Sequence, residues 1–481
     1  MTDPRHFYID GRWVAPAVPR DLAVIDPSTE EAFATISLGG QADTDAAVAA
    51  ARAAFDGWAY GTEPAERLAL VERIATIYKA RAEDLAQAMS REMGAPIAYA
   101  RRNQVGAGAW HISNFIKVAQ DYAFIRPLGP QAPNDRILMD AAGVCALITP
   151  WNWPMNQITL KVIPALLAGC TMVLKPSEIA PMSAIVFAEI LDEAGTPPGV
   201  FNMVHGDGEG VGTLLSTHPE VDLVSFTGSP RAGRLIMRNA ADTLKRVHLE
   251  LGGKGANIVF ADARDGAVAH GTRYCFNNAG QSCNAPTRML VERAIYDEAV
   301  EIARATAEAT GVAPASEDGR HIGPVVSAAQ FERVQQMIQT GIDEGARLIA
   351  GGIGRPEGLN RGFFVRPTVF ADVRNDMAIA QQEIFGPVLS IIPFDDEDEA
   401  IAIANDTPYG LTNYVETASP DRRIKLARRL RSGMVEMNGN DLGACSPFGG
   451  MKASGNGREG GVWGLEEYLE VKAVSDWPEG A

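Results

Sequence analysis

The chain has 481 residues, 46% of them hydrophobic, and a formal charge of −17 from 43 basic and 60 acidic side chains. That length exceeds what one hydrophobic core ordinarily organises, so two or three domains are expected. The acidic balance, with no long basic run, argues against a nucleic-acid or anionic-membrane partner, and no apolar run reaches the roughly 18 residues of a spanning helix.

Residues Met1 to His6 are not followed by the apolar stretch of a secretory leader, which predicts a cytoplasmic protein. Alanine- and arginine-rich helical patterns occupy 43–55 and 63–93, the second with Pro64 in its first turn. From residue 141 the texture changes. Short apolar runs at 144–148, 171–174, 201–204 and 221–226 alternate with amphipathic segments at 158–167, 183–194 and 208–216. This alternation predicts βαβ crossovers and a buried parallel sheet, a Rossmann-like domain. After Lys254 a second alternation, with segments at 257–260, 294–310, 331–344 and 388–393, predicts a second α/β domain. The acidic run 395–399 reads as a helix's first turn, where carboxylates favour the dipole, rather than as a metal site. Segments 122–133 and 465–474 are read as a small β arm; an extended edge of this kind needs a partner to cover it, so a homo-oligomer is expected.

The five cysteines, at 145, 170, 275, 283 and 445, show neither paired spacing nor a C-x-x-C, which speaks against a disulfide scaffold or structural zinc. Cys145, Cys170 and Cys275 sit in apolar settings that suit packing. Cys283 stands in Gly280-Gln281-Ser282-Cys283-Asn284, whose small and polar neighbours leave room for a substrate carbon, and it reads as a nucleophile. Two glycine-bearing segments compete for a phosphate-binding role. Gly455-Asn456-Gly457-Arg458-Glu459-Gly460 matches G-x-G-x-x-G letter for letter but neither follows a strand nor opens a helix, so it reads as a loop. Phe226-Thr227-Gly228-Ser229 does follow an apolar strand and leads into a helix, whose free N–H groups with the Ser229 hydroxyl can hold a phosphate.

Seven motifs in order carry a resemblance: Pro150-Trp151-Asn152-Trp153-Pro154, Lys175-Pro176-Ser177-Glu178, Phe226-Thr227-Gly228-Ser229, Glu250-Leu251-Gly252-Gly253-Lys254, Gly280-Gln281-Ser282-Cys283, Glu383-Ile384-Phe385-Gly386-Pro387 and Pro447-Phe448-Gly449-Gly450. From about Phe7 to the C-terminal strand the chain resembles the aldehyde dehydrogenase superfamily. The resemblance implies an α/β fold with an NAD-binding domain at 1–120 and 141–250, a catalytic domain at 251–455, and an oligomerisation arm with the C-terminal segment at 121–140 and 456–481. It implies NAD-dependent oxidation of a small-molecule aldehyde to a carboxylic acid, with no metal. Cys283 would pass through a thiohemiacetal and a thioester. Asn152 with the Cys283 backbone N–H would hold the oxyanion, such a donor being worth about 3 to 4 kcal/mol of barrier, and Glu250 would activate the hydrolytic water. Read without the resemblance, Asn152 is a turn cap and Glu250 a strand-end charge.

Carried over in the same way, Lys175 and Glu178 would embrace the adenosine ribose, Ser229 the pyrophosphate and Glu383 the nicotinamide ribose with Phe385 beside it. Ile148, Trp151, Gly208, Phe226, Gly228 and Leu251 would complete the cofactor site, and Asn438 would help to position Glu383 or the cofactor amide region. Met434-Val435-Glu436-Met437, just before Asn438, departs from the commoner tryptophan-containing form. NAD is expected over NADP, because the Glu178 carboxylate would face the 2′-phosphate. Trp153, Asn156, Gln157, Leu160, Ser282, Asn284 and Phe448 match positions lining the aldehyde tunnel, and their amides and small residues suggest a medium-chain or functionalised aldehyde. Three alternatives stand beside this reading: a CoA-acylating branch, disfavoured by Glu250; a cysteine hydrolase pairing Cys283 with a histidine such as His321, which leaves the nucleotide motifs unexplained; and a noncatalytic protein retaining the fold, disfavoured because Cys283, Glu250 and Asn152 are all present.

Overall fold

Two seven-stranded sheets organise the computed structural model, which describes residues 2–478. Residue 1 of the expected cofactor domain and residues 479–481 of the C-terminal segment lie outside the described residues. In the first sheet the strands run in the order Arg246–Glu250, Leu223–Thr227, Val144–Ile148, Thr171–Lys175, Phe201–Met203, Phe7–Ile9, Arg12–Val14. The first five are parallel to their neighbours, and strands 144–148, 171–175 and 223–227 are buried along their whole length, as a sheet covered by helices on both faces requires. Helix Pro154–Ala168 makes the crossover from 144–148 to 171–175. It opens on a proline, ends at Gly169 in the left-handed region (φ 89°), and buries every residue except Asn156.

This strand order fixes where a ligand can sit. From strand 144–148 the chain winds outward through 171–175 and 201–203, then returns to lay 223–227 on the opposite side. The loops leaving 144–148 and 223–227 therefore diverge and open a crevice at the carboxyl ends of those strands.

The second sheet runs Arg347–Ala350, Thr368–Ala371, Val388–Phe394, Arg288–Glu292, Ala256–Val259, Thr412–Glu416, Met434–Met437, all parallel except the first pair. Each sheet carries its own large apolar cluster. A third, antiparallel sheet joins Ile125–Gly129, Ala132–Ala141 and Leu469–Val474, with Leu469 opposite Ala141 and Val474 opposite Arg136.

The structure corrects two local expectations and adds elements to one unassigned segment. The 63–93 pattern is two helices, Pro64–Ala80 and Ala82–Met93, broken at Arg81, whose guanidinium reaches Glu189 at 2.8 Å and so serves the packing of the second helix on Met182–Glu193. The segment before residue 41, unassigned in the sequence reading, contains four strands, two of them only three residues long, too short to display an alternation. The 208–216 stretch opens with a π-turn at Gly208–Gly212 before its helical turn. No helix among the described residues is long and apolar enough to cross a membrane.

Candidate active site

Two confluent cavities occupy the crevice. One, of about 730 Å³, is bordered by Ile148, Lys175, Glu178, Gly208 and Phe226; the other, of about 540 Å³, by Asn152, Leu251, Cys283, Glu383 and Phe385. They meet at Trp151, Gly228, Ser229 and Arg231, which line both. The whole expected cofactor set thus faces one continuous space that ends at the Cys283 thiol. Ser229 caps helix Pro230–Ala240, accepting from Ala232 N–H at 3.3 Å, and so stands at a helix N-terminus that opens into the cleft. Lys175 is buried, its ammonium donating to Gly206 O at 2.6 Å and Pro176 O at 3.0 Å, with Glu178 at 3.5 Å. Trp151 and Phe385 meet edge to face at 5.4 Å.

The loop carrying Cys283 is held by amides from both halves of the chain. Asn278, Ala279 and Gly280 are successively left-handed (φ 54°, 55° and 74°), a course that costs about 1 to 3 kcal/mol per non-glycine residue. Asn278 Nδ2 donates to Asn152 O at 3.0 Å and to Gln281 O at 3.1 Å. Gln104 Nε2 donates to Asn152 O and to Asn278 Oδ1, each at 3.2 Å. Gly280 packs against Gly386, where a Cβ would lie 2.1 Å from the carbonyl oxygen, so only glycine fits. Asn152 Nδ2 donates to Gln281 O at 3.1 Å, which fixes the amide and leaves its second N–H to be presented to the Cys283 cavity.

Electrostatics here are dominated by burial. The Cys283 thiol is pushed up by desolvation and then by the carboxylates of Glu383, Glu250 and Glu459, against one favourable contact from the Asn284 N–H. Glu383 is pushed up to about 7 by burial, partly opposed by the Gly253 N–H at 2.9 Å and by Lys254. Glu250 is pushed well up by burial and by Glu459, against Lys161 and Arg458. Its carboxylate does not line the Cys283 cavity; it packs on Gly449 and lies 3.8 Å from His248 Nε2. Behind it Lys161 forms a buried ion pair with Glu459 at 2.6 Å and donates to Ser225 at 3.0 Å.

Among the expected substrate positions, Trp153 Nε1 donates to Ser282 Oγ at 2.8 Å, Asn156 Oδ1 lies 2.7 Å from His111 Nε2, and Asn284 Nδ2 reaches the Tyr274 hydroxyl at 3.4 Å. Gln157 and Leu160 are buried in their helix, and Phe448 pairs its backbone with Glu459. Asn438 is not brought to Glu383: its Oδ1 accepts from Thr417 N–H at 3.0 Å, and the carboxylate rests on the Gly253 backbone instead. His321 lies 3.2 Å from Pro314 O, and none of the seven histidines borders the Cys283 cavity. The sequence reading missed Gln104, Gln330, Arg333 and Tyr409, which no local motif marks. It also missed Lys161 and Glu459, although a lone lysine in the otherwise apolar 158–167 run is a visible signal.

Comparison with known proteins gives a family. The model of the aldehyde dehydrogenase family matches residues 13–474. The chain is similar to a 3-succinoylsemialdehyde-pyridine dehydrogenase of a Pseudomonas species, at 52% identity over 98% of this chain and 99% of that one. Among solved structures it is similar to an aldehyde dehydrogenase from Bartonella henselae, with a TM-score of 0.98 and 58% identity over 99% of this chain and 100% of that one. It is also similar to a cysteine-to-alanine mutant of aldehyde dehydrogenase C from Pseudomonas syringae in complex with NAD+ and octanal, with a TM-score of 0.96 and 49% identity over 100% of this chain and 98% of that one.

The raised thiol gives a prediction for the cofactor-free protein. Because only the thiolate reacts, iodoacetamide alkylation of Cys283 should climb close to tenfold per pH unit through pH 9 without a plateau, whereas an ordinary thiol levels off near 8.5. Rates from pH 6 to 9.5, with the modified residue identified by mass spectrometry, check it.

Proposed function

Because the chain belongs to the aldehyde dehydrogenase family, we propose that it oxidises an aldehyde to the free carboxylic acid with NAD, using Cys283 as nucleophile, Asn152 as oxyanion donor and Glu250 as the base of deacylation. The observation that carries this reading is the continuous cleft with Lys175 and Glu178 at one end and Cys283 with Asn152 at the other. The donor set fits a dinucleotide: a half-exposed carboxylate for a ribose diol, a helix N-terminus at Ser229 for a pyrophosphate, and Glu383 held over Gly252 and Gly253 for the second ribose. When bound, the nicotinamide supplies a hydride acceptor.

In this mechanism the Cys283 thiol gives its proton to solvent water in the cleft and Sγ adds to the aldehyde carbon. The Asn152 amide and the Cys283 backbone N–H hold the oxyanion that forms. As the oxyanion collapses the carbon gives up hydride, and the acyl group remains on Cys283 as a thioester. Glu250 then turns from Gly449 toward the cavity and takes a proton from water as the water oxygen attacks the thioester carbon, which frees the acid and the thiol. A medium-chain or functionalised aldehyde suits the polar Ser282 and Asn156, and it accords with the names of the two relatives, one for a pyridine-bearing semialdehyde and one in complex with octanal.

We also assign residues 141–250, with the segment before 121, to cofactor binding and 251–455 to catalysis, and we read the three-stranded sheet as the contact between copies of the chain. Its outer strands expose Ile125 (52%), Leu128 (44%) and Val471 (67%) on edges with no neighbour in the described chain.

Glu250→Gln should give a burst of about one NADH per active site and then stall, while Cys283→Ala gives no burst and still binds NAD. Steady turnover by either variant at the wild-type rate contradicts the assignment. NAD should be preferred over NADP by about 5 to 150-fold in kcat/KM. A 2′-phosphate about 4 Å from Glu178 meets repulsion of roughly 4 kcal/mol per unit-charge pair before relaxation, and Lys175 is already committed to two carbonyls. Initial rates with both cofactors decide this. Light scattering at micromolar concentration should return a dimer or larger; a monomer removes the role given to the third sheet.

A further inference from the structure

We propose that His248 is a positioning residue for Glu250, its Nε2–H donating to the carboxylate and keeping it ionised for the deacylation step. The inference rests on the reading of Glu250 as the base of that step. Residues 248 and 250 are two apart on strand Arg246–Glu250 and so project from the same face. Both side chains are almost wholly buried, at 3% and 2% exposure, and Nε2 lies 3.8 Å from Oε1. Neither ring nitrogen and neither carboxylate oxygen has a hydrogen-bond partner among the described residues, which is costly for buried polar groups and marks an arrangement one small torsion short of a bond.

None of the other charged groups facing the pair donates to it. Lys161, on helix Pro154–Ala168, donates to Glu459 at 2.6 Å and Ser225 at 3.0 Å. Arg458 donates to Gly450 O at 2.6 Å and Gly457 O at 2.7 Å, and Arg246 to Leu469 O at 2.8 Å and Glu470 at 2.9 Å. Glu459 and Glu467 are acceptors and oppose ionisation of Glu250. His248 itself is held neutral by burial and by Lys161, Arg246 and Arg458, so it offers one N–H and no charge. The glycine-rich 455–460 segment finds its use here. A Cβ at Gly457 would fall 1.7 Å from His248 Cδ2, one at Gly455 2.0 Å from Leu249 O, and one at Gly449, on the neighbouring turn, 2.5 Å from Glu250 Oε1. Glycine at these positions lets the backbone lie directly on the pair.

A donor to the ionised carboxylate lowers its pKa, so removing the donor must raise it and move the acid limb of deacylation to higher pH. His248→Leu, close in volume and without a donor, and His248→Gln, which restores an N–H, are compared with wild type by kcat from pH 5.5 to 10 and by the pre-steady-state NADH burst. Expected for His248→Leu are an unchanged burst amplitude and burst rate, a kcat limb displaced upward by about one pH unit, a loss of about tenfold on the acid side, and recovery above pH 9. His248→Gln should return the limb to within a few tenths of a unit of wild type. If His248→Leu lacks a full burst because it folds poorly, His248→Phe supplies the same comparison. A wild-type pH profile in the donorless variants, or a pH-independent loss that glutamine does not rescue, overturns the proposal. Failure of the underlying reading shows separately, as wild-type turnover by Glu250→Gln.

Discussion

The cleft depends on a small set of amide hydrogen bonds that tie the loop after strand 144–148 to the loop before strand 288–292. Asn278 and Gln104 both donate to Asn152 O, and Asn152 donates in turn to Gln281 O. One group of side chains therefore fixes the Cys283 loop and Asn152 together. Each bond contributes only about 0.5 to 1.5 kcal/mol net, yet together they offset a backbone that spends Asn278 and Ala279 in the left-handed region. This left-handed course leads directly into Cys283, which lines the cavity. Gln104 reaches this network from the end of a π-turn at Ala100–Gln104, a helix irregularity of the kind that re-aims a side chain.

A second constraint is the concentration of buried carboxylates around one thiol. Glu250, Glu383 and Glu459 all raise the Cys283 thiol, and burial raises Glu250 and Glu383 themselves. Not all of these groups can carry charge together in a medium of low dielectric. The chain distributes the compensation unevenly. Glu459 pairs directly with Lys161 and Glu383 accepts from the Gly253 N–H, whereas Glu250 has no hydrogen-bond partner, feels Lys161 and Arg458 only at a distance, and has His248 just beyond bonding distance. A base must gain and lose a proton each cycle, and a carboxylate locked in a strong ion pair does neither readily. A weak neutral donor leaves it responsive while an ion pair nearby bears the fixed charge.

What could be read from the sequence follows from this architecture. Lys175, Glu178, Gly228 and Ser229 stand at the exits of apolar runs, where strand, turn and helix are contiguous in the chain, and the structure brings them to the crevice that the strand order creates. The Arg81 break was not legible, because what bends the chain there is an ion pair to Glu189, 108 residues away. Lys161 with Glu459, 298 residues apart, and Gln104 with Asn278, 174 apart, were hidden for the same reason. Asn438 differs in another way: of the two places the resemblance gave it, Glu383 or the cofactor amide region, the first is not met, because from a left-handed backbone (φ 55°) its Oδ1 accepts from Thr417 N–H.

The glycine-rich segment shows why letters and physics part company. G-x-G-x-x-G marks a phosphate site when its glycines let a new helix's N-terminus approach a ligand. In 455–460 the same absence of side chains lets the backbone approach another part of the protein, the strand that carries Glu250. The common element is close approach by bare backbone, and what is approached is set by the neighbouring fold. Here Gly455 pairs with Glu250, Asn456 accepts from Leu249 N–H at 3.0 Å, and Glu459 reaches back to Lys161. The loop thus lays its backbone against the strand that carries Glu250, and the acidic residue inside the motif pairs with the buried Lys161.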